Sequence, residues 1–257
     1  MAIPEVWRRL VTVCRRLWGT TRTLLPRTGR NRDVPRFLFP ADPPVFPDPE
    51  LADEEGLLAI GGDLAVDRLL AAYGAGIFPW YSDDTPILWW SPDPRGIFEL
   101  DGLHVSRRLA RTVRSGRFRF TRDEAFTDVM AGCAEREEGT WITADMLAAY
   151  TELHHRGYAH SVEVWQGEVL VGGIYGVTVG GLFAGESMFS RVADASKAAL
   201  THLVAHLRDR GYTLFDIQHV NPHTASLGAV EVSRREYLRR LRSAVRQPVT
   251  FSDPTSP

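Results

Sequence analysis

One short strand-like run, residues 212–218, carries polar side chains of types that can act on a substrate. Phe215 and Ile217 alternate with Asp216 and Gln218, so the acid and the amide are expected to share one face of the strand. Burying a polar group without a partner costs roughly 2–7 kcal/mol, and burying a charge costs more. An acid beside an amide at a strand end therefore predicts a functional site. A buried pair that only ties down a loop is the alternative.

A third polar side chain, Glu186, lies near the end of another predicted strand, in GESMFS (185–190). We expect Asp216 to accept a hydrogen bond from the side-chain amide of Gln218 and so to fix its orientation. The Gln218 side-chain carbonyl would then polarise an attacking amine, and Glu186 would bind a free α-ammonium group. Such a set positions and polarises a substrate that arrives already activated.

Other catalytic chemistries lack their residue patterns in this chain. Ser187 has no Gly-x-Ser-x-Gly elbow and Cys133 has no placed partner, so no covalent nucleophile is predicted. His202 and His206 are four residues apart but lack the glutamate of the metalloprotease motif and a third ligand. The sequence contains neither a P-loop nor a dinucleotide fingerprint. We therefore predict neither a metal nor a cofactor.

The composition is that of an ordinary globular protein. The chain has 257 residues, a formal net charge of -2, 44% hydrophobic residues and 24% charged residues. Its 2 cysteines lie far apart and form no disulfide framework, which favours a reducing compartment. No apolar run approaches the ~20 residues of a membrane span, so no stable membrane insertion is expected.

The second half of the chain predicts the elements that must position these polar groups. Three alternating apolar runs, at 161–165, 168–179 and 182–189, are separated by glycine-containing hairpin turns. A helix over 196–210 follows and leads into the strand at 212–218. An antiparallel meander, a helix and a further strand indicate an α+β domain with a mixed, largely antiparallel sheet.

Three further helices are predicted from their first residues. Asp63, Thr143 and Ser233 each precede a periodic apolar segment as an N-cap would, and Ser233 with Glu236 forms a capping box. Between the first two helices lies an aromatic and proline-rich block at 76–96 that makes poor helix and cannot sustain a central strand. It predicts a rigid apolar wall, either of a pocket or of a domain junction.

Arginines cluster in two later segments of the chain. Between 104 and 122 there are arginines and no acid around a helix that Ser106 can cap, and a second cluster crowds the helix at 234–246. These clusters predict contact with a phosphate backbone, and solvated helix faces are the alternative. The arginines predicted to contact nucleic acid are Arg107, Arg108, Arg111, Arg114, Arg235 and Arg239.

The first 35 residues form a basic N-terminal extension in which Trp7, Leu10 and Leu17 recur at helical spacing among arginines. A mobile tail, or residues upstream of the true start, is the expectation for this segment. A basic amphipathic helix that touches RNA or a membrane surface is the alternative.

Nine motifs, in order over about residues 36–246, resemble the leucyl/phenylalanyl-tRNA–protein transferase family. They are GGDL (61–64), GIFPWY (76–81), ILWWSPDPR (87–95), EEGTWIT (137–143), AHSVEVW (159–165), LVGGIYG (170–176), GESMFS (185–190), ASK (195–197) and HTASLGA (223–229). Many long motifs in one order make this resemblance specific.

The resemblance implies a bacterial cytoplasmic aminoacyltransferase. It would move Leu or Phe, and also Met, from aminoacyl-tRNA to the N-terminal Arg or Lys of a protein and so mark that protein for N-end-rule degradation. The implied architecture is a small N-terminal α/β domain over 36–95, a larger N-acetyltransferase-like domain over 96–248 and a tail at 249–257. A monomer is expected.

The resemblance also assigns roles to individual residues. Asp216 and Gln218 match the family's proposed proton-relay pair, and Glu186 matches an active-site residue. Trp80 and Trp141 match aromatics proposed to contact the 3′ adenosine of the tRNA. The substrate-binding set is completed by the side-chain pocket and its surroundings: Tyr73, Ile174, Phe183, Gly185 and Met188.

Two residues depart from the pattern of a close relative. Ile174 stands where the relative has Met, and His219 stands where it has Val.

Three other functions compete with the one that the resemblance implies. They are a tRNA-dependent ligase acting on peptidoglycan precursors, an acetyl-CoA acetyltransferase and a non-catalytic RNA-binding module. The acetyltransferase is disfavoured because its Gly-rich pyrophosphate loop before a helix is missing.

Overall fold

A computed structural model describes residues 35–135 and 140–252. The predictions for the basic extension before residue 35, for the first part of EEGTWIT (137–143) and for the end of the tail fall outside these ranges. Within them, no helix has the length and apolar character that crossing a membrane requires.

The N-terminal part of the chain forms a four-stranded sheet and one helix. Its strands are β1 (Arg36–Leu38), β2 (Leu57–Gly61), β3 (Phe78–Pro79) and β4 (Leu88–Trp90), in the order β1-β2-β4-β3. Strands β1 and β2 are parallel, and the other pairs are antiparallel. Helix α1 (Val66–Gly74) connects β2 to β3.

The rest of the described chain builds a seven-stranded sheet in the order β11-β5-β10-β9-β8-β7-β6. These strands are β5 (Arg95–Phe98), β6 (Arg119–Arg122), β7 (Ala159–Gln166), β8 (Val169–Val179), β9 (Leu182–Ser190), β10 (Leu214–Gln218) and β11 (Ala229–Val232). Strands β9 and β10 pair in parallel, and the other neighbours in this sheet are antiparallel. The predicted α+β class with a mixed, largely antiparallel sheet is confirmed.

Helices cover both faces of this larger sheet. They are α2 (Arg107–Arg114), α3 (Phe126–Ala134), α4 (Ala144–His155), α5 (Ala195–Asp209), α6 (Pro222–Ser226) and α7 (Arg234–Ala244). Three begin at the predicted caps, because the hydroxyls of Ser106, Thr143 and Ser233 accept the N–H of the third helical residue. Helix α5 packs on the face that carries Phe215, whereas α7 packs with Leu214 on the opposite face.

One hydrophobic core joins the small sheet to the large one. Trp89 of β4 and Leu69 of α1 belong to the same buried cluster as Met146 of α4 and Val177 of β8. Strand β5 of the large sheet begins at Arg95, which is the last residue of the predicted small domain. The two sheets therefore share apolar side chains across the predicted domain boundary.

Three local predictions are wrong in detail. Asp63 does not cap α1, which begins after Ala65; its carboxylate instead accepts the main-chain N–H of Ala65 and pairs with Arg68. The aromatic block does supply an inner strand, β4, because its prolines fall outside that strand. The Glu236 carboxylate binds the arginines at 239 and 240. Of the capping box predicted at Ser233, only the bond from the main-chain N–H of Glu236 to the serine hydroxyl is therefore present.

Candidate active site

The candidate site lies where β9 and β10 separate. Their parallel pairing runs from Leu214 opposite Leu182 to Asp216 opposite Ala184 and ends there. Two residues further along each strand, Glu186 and Gln218 line a pocket of about 490 Å³ of open space. A crevice opens between the diverging strands, and two of the polar residues predicted at strand ends, Glu186 and Gln218, face into it.

The pocket has an aromatic wall and a polar floor. Its lining residues are Phe78, Pro79, Trp80, Trp141, Glu186, Ser187, Ile217, Gln218 and His219. Part of the aromatic and proline-rich block thus forms a pocket wall, one of the two functions predicted for it. The same block also sits at the junction of the two sheets, since Trp89 and Trp90 lie in their shared core.

Gln218 departs from regular strand geometry. Its φ is 59°, in the left-handed region that non-glycine residues seldom adopt, and a bulge separates it from Asp216 in the register with β5. At the bulge, a side chain on Gly96 would meet the main chain of His219 at 2.8 Å. The chain turns here, so Gln218 does not continue the simple alternation that the sequence predicted.

Asp216 is buried beside the pocket and does not line it. Its side chain is 1% exposed and forms a two-point ion pair with Arg95, with contacts of 2.8 and 2.6 Å. It also accepts the Tyr237 hydroxyl and the main-chain N–H of Gln218, each at 2.9 Å. The expected bond from the Gln218 side-chain amide to Asp216 is therefore wrong: the main chain of Gln218 makes the bond.

The Gln218 side-chain amide donates to Glu186 over 3.2 Å. Glu186 also accepts the Tyr150 hydroxyl at 3.4 Å, and that hydroxyl contacts the hydroxyl of Tyr73. Burial raises the pKa of Glu186 to about 8, and the nearby Asp216 charge acts in the same direction. A carboxyl group that faces a pocket and titrates near neutral pH is suited to proton transfer.

His219 completes the polar side of the pocket next to Gln218. Its ring centroid lies 6.3 Å from that of Trp80 and 6.5 Å from that of Phe78. Burial lowers the pKa of His219 to about 4, and the positive charge of Arg95 acts in the same direction. The imidazole is therefore neutral at physiological pH.

Only part of the predicted substrate-binding set lines the pocket. Trp80 and Trp141 do so. Tyr73 does not: it is 1% exposed, and its hydroxyl contacts that of Tyr150, which in turn donates to Glu186. The others lie in or beside the core: Ile174, Phe183 and Met188 pack in one cluster with Ile217, and Gly185 lies against Phe215.

The predicted tRNA-binding arginines form two separate patches. Arg107, Arg108, Arg111 and Arg114 lie on α2, which packs near α5, whereas Arg235 and Arg239 lie on α7. Because α5 and α7 cover opposite faces of the sheet, the patches do not merge. Arg239 is also engaged by Glu236 at 2.8 Å, which leaves less of its charge for a partner.

The part of the chain that the structure describes contains no group of three or more His, Cys, Asp or Glu side chains arranged to hold a metal ion. His202 instead stacks on Phe120, with ring centroids 4.8 Å apart.

Two family models match the chain, one on each side of the predicted domain boundary. One, described as leucyl/phenylalanyl-tRNA protein transferase, covers residues 97–242, which is more than half of the chain. The other, described as the N-terminal domain of the same transferase, covers residues 62–93. The chain belongs to the leucyl/phenylalanyl-tRNA protein transferase family.

Curated relatives support this membership of the transferase family. A leucyl/phenylalanyl-tRNA–protein transferase of Anaeromyxobacter sp. (strain Fw109-5) is 55% identical over 207 residues, which cover 79% of this chain and 88% of the relative. One from Shewanella baltica (strain OS155 / ATCC BAA-1091) is 52% identical over 217 residues, covering 82% and 90%. The predicted family and the predicted class, an aminoacyltransferase, are confirmed, and the matches do not favour the peptidoglycan-precursor alternative.

Solved structures resemble the transferase more distantly. FemX aligns at a TM-score of 0.40 and 13% identity, covering 65% of this chain and 66% of that one. A GCN5-related N-acetyltransferase-like protein from Streptococcus suis aligns at a TM-score of 0.34 and 12% identity, covering 63% and 61%.

Three residues around the site, Arg95, Tyr150 and Tyr237, were not predicted from the sequence to belong to it. Arg95 had one available signal: it opens an apolar strand, Arg95–Phe98, just as Asp216 interrupts another. Two opposite charges in two buried strands are compatible with a buried pair, but the strand order that places β5 beside β10 was not predicted.

Proposed function

We propose that this chain transfers Leu, Phe or Met from aminoacyl-tRNA to the N-terminal Arg or Lys of a protein, which marks the product for N-end-rule degradation. The observation that carries the proposal is the pocket between β9 and β10. There Glu186 and the Gln218 amide meet at 3.2 Å beside Trp80 and Trp141. Membership of the family supplies the substrate classes.

The reaction needs little beyond placement and proton transfer. The amine nitrogen of the acceptor attacks the ester carbonyl carbon, a C–N bond forms, and the bond to the ribose oxygen of the tRNA breaks. The proton lost by the amine is matched by the proton that the ribose oxygen gains. Because the ester is already activated, most of the rate enhancement comes from holding the amine against it.

In this proposal Glu186 and Gln218 are the catalytic residues that touch the reactants. Glu186, whose pKa is about 8, accepts the proton of the attacking amine and can return it to the leaving ribose oxygen. The Gln218 amide, which donates to Glu186, holds that carboxylate in place and presents its carbonyl to the amine. Asp216 is buried beside the pocket wall and bonded to Arg95 and Tyr237, so it is a positioning residue.

The two walls of the pocket match two parts of the aminoacyl-tRNA donor, the 3′ adenosine and the amino-acid side chain. Trp80 and Trp141 offer flat apolar surfaces for the 3′ adenosine. Ile217 of the wall belongs to the cluster that contains Ile174, Phe183 and Met188, so this side is assigned to the Leu, Phe or Met side chain. An apolar pocket separates such side chains by only about 1–3 kcal/mol per methylene, which fits a choice among several amino acids.

The arginines of α2 and α7 are assigned to sequence-independent contact with tRNA phosphates. Since charged tRNA is an intracellular donor, the proposal places the enzyme in the cytoplasm. It acts as a monomer of 28.8 kDa, a mass that light scattering would measure directly.

The deciding experiment supplies Phe-tRNA, Leu-tRNA and Met-tRNA, each labelled on the amino acid, together with peptides that differ only in their first residue. Transfer to peptides that begin with Arg or Lys, and not to matched peptides that begin with Ala or Glu, is expected. A parallel reaction contains a peptidoglycan precursor as acceptor. Labelling of that precursor in place of the peptides would overturn the proposal.

A further inference from the structure

We propose that Arg95 is a positioning residue of the transfer reaction, which acts through Asp216 to hold the side-chain amide of Gln218 against Glu186. This inference rests on the proposed function. It assigns a role to a buried arginine that lies outside the pocket wall.

The Asp216 carboxylate is fully engaged by its neighbours in the protein. Arg95 Nε donates to its Oδ1 at 2.8 Å and Arg95 Nη2 to its Oδ2 at 2.6 Å. The Tyr237 hydroxyl donates to Oδ2 at 2.9 Å, and the Gln218 main chain donates to Oδ1 at 2.9 Å. Four donors on two oxygens leave the carboxylate one orientation and no free site for the reacting amine.

Arg95 supplies the charge that makes this arrangement possible. Both side chains of the pair are 1% exposed, and an isolated carboxylate at such a depth would be strongly disfavoured. Burial alone lowers the pKa of Arg95, but the adjacent Asp216 raises it above its ordinary value. The guanidinium therefore stays charged, and its planar fork fixes both oxygens at once.

One oxygen of the Asp216 carboxylate links Arg95 to the main chain of Gln218. Oδ1 accepts from Arg95 and also from the N–H of Gln218, two residues along the chain, as in an Asx-turn. That bond holds Gln218 at a φ of 59°, a conformation that persists only when its surroundings enforce it. Held there, the side-chain amide reaches Glu186 at 3.2 Å.

Arg95 has a second route by which it could affect the reaction. Its Nη1 donates to the Gly76 carbonyl at 3.0 Å, and its guanidinium carbon lies 4.9 Å from the centroid of the Phe78 ring in the pocket wall. A shift of the Phe78 ring would alter substrate binding. A test must therefore separate turnover from binding and ask whether the effect depends on Gln218.

The test uses the full-length chain with Arg95→Lys, Gln218→Ala and the double variant. Lysine keeps the charge but cannot form the two-point pair. The matched control is Arg68→Lys, because Arg68 is also an almost fully buried arginine paired with an aspartate, and it lies outside the pocket. Single-turnover transfer from labelled Phe-tRNA to an Arg-initiated peptide, the KM for peptide and the Kd for Phe-tRNA are measured, with circular dichroism as the folding check.

Arg95→Lys is expected to lower kcat on the order of 100-fold, because small misplacements of reacting groups have effects of that size. KM and Kd should stay within about twofold, and Arg68→Lys should leave kcat unchanged. In the Gln218→Ala background, Arg95→Lys should lower kcat by no more than about twofold, since the group it positions is already gone.

Two results would overturn the inference: a wild-type kcat in folded Arg95→Lys, or an equal loss with and without the Gln218 side chain. If Arg95→Lys fails to fold, Arg95→Gln combined with Asp216→Asn removes both buried charges and is judged by the same criteria. A wild-type enzyme that transfers nothing would refute the proposed function itself. If the wild type is active and Arg95→Lys has the same kcat, only the role of Arg95 is refuted.

Discussion

The Gln218 side-chain amide and the Glu186 carboxylate are joined by a 3.2 Å hydrogen bond across the opening between two parallel strands. The register of the parallel pairing places Gln218 opposite Glu186, two residues beyond the last paired residues, Asp216 and Ala184. The separation of the strands thus opens the pocket, and the shared register keeps its two polar side chains within reach of each other.

Removing the Gln218 side chain should impair turnover more than tRNA binding. Gln218→Ala is expected to lower kcat on the order of 100-fold while the Kd for Phe-tRNA stays within about twofold, because the amide touches the reacting groups and not the phosphate backbone. Single-turnover transfer and filter binding measure the two quantities. Near-normal turnover would remove Gln218 from the mechanism.

The pH dependence of kcat/KM should reveal Glu186 as the proton acceptor. The active form needs both a neutral amine and an ionised Glu186, whose pKa is about 8. Below pH ~7 the logarithm of the rate should rise with a slope approaching two, since an α-amino group ordinarily titrates near 7.7–8.0. Glu186→Gln should retain only the amine titration and a slope of one. Equal slopes in the two proteins would contradict a base at this position.

Glu186 should also make the protein less stable as the pH rises. Burial raises its pKa from 4.5 to about 8, so the folded state favours the protonated form. The resulting stability is fully present below pH 4.5 and is lost as the pH rises through about 8. The melting temperature of Glu186→Gln should therefore equal that of the wild type at pH 4. At pH 9 it should be higher, by about 2–4 °C for each kcal/mol of stability regained.

Thermal unfolding at the two pH values measures this difference. Asp83→Asn, at an exposed acid outside the pocket, serves as a control for a general loss of negative charge. A Glu186→Gln advantage of the same size at both pH values would show that the carboxyl does not titrate in this range.

The two arginine patches should contribute unequally to tRNA binding. Replacing Arg107 and Arg111 of α2 with Ala should reduce the slope of log Kd against log salt by about 0.7–0.9 for each phosphate that is no longer neutralised. Replacing Arg235 and Arg239 of α7 should reduce it less, because Glu236 already neutralises Arg239.

Arg156→Ala, at the residue that follows α4, is the control for these salt titrations, since Arg156 is already paired with Glu152 of that helix. Filter binding of Phe-tRNA over a range of salt concentrations measures the slopes. Unchanged slopes for both patches would exclude them from the tRNA interface.

The sequence alone determined the elements whose signals are local. Hairpin turns at Gly167 and at Gly180-Gly181, and caps at Ser106, Thr143 and Ser233, located strands and helices to within a few residues. Family motifs determined the class of enzyme, and the polar residues in an apolar strand pointed to the site. These features depend on residues that are close together in the chain, so they can be predicted from the sequence.

Tertiary structure decided what each polar side chain does. Asp216 and Gln218 looked like equal partners on one face of a strand, but the bulge and the left-handed φ of Gln218 send them to different neighbours. Asp216 meets Arg95, which is 121 positions away in the chain, and Gln218 meets Glu186, 32 positions away. Burial raises the pKa of Glu186 and lowers that of His219, and burial depends on which strands and helices pack together. No local pattern contains that information.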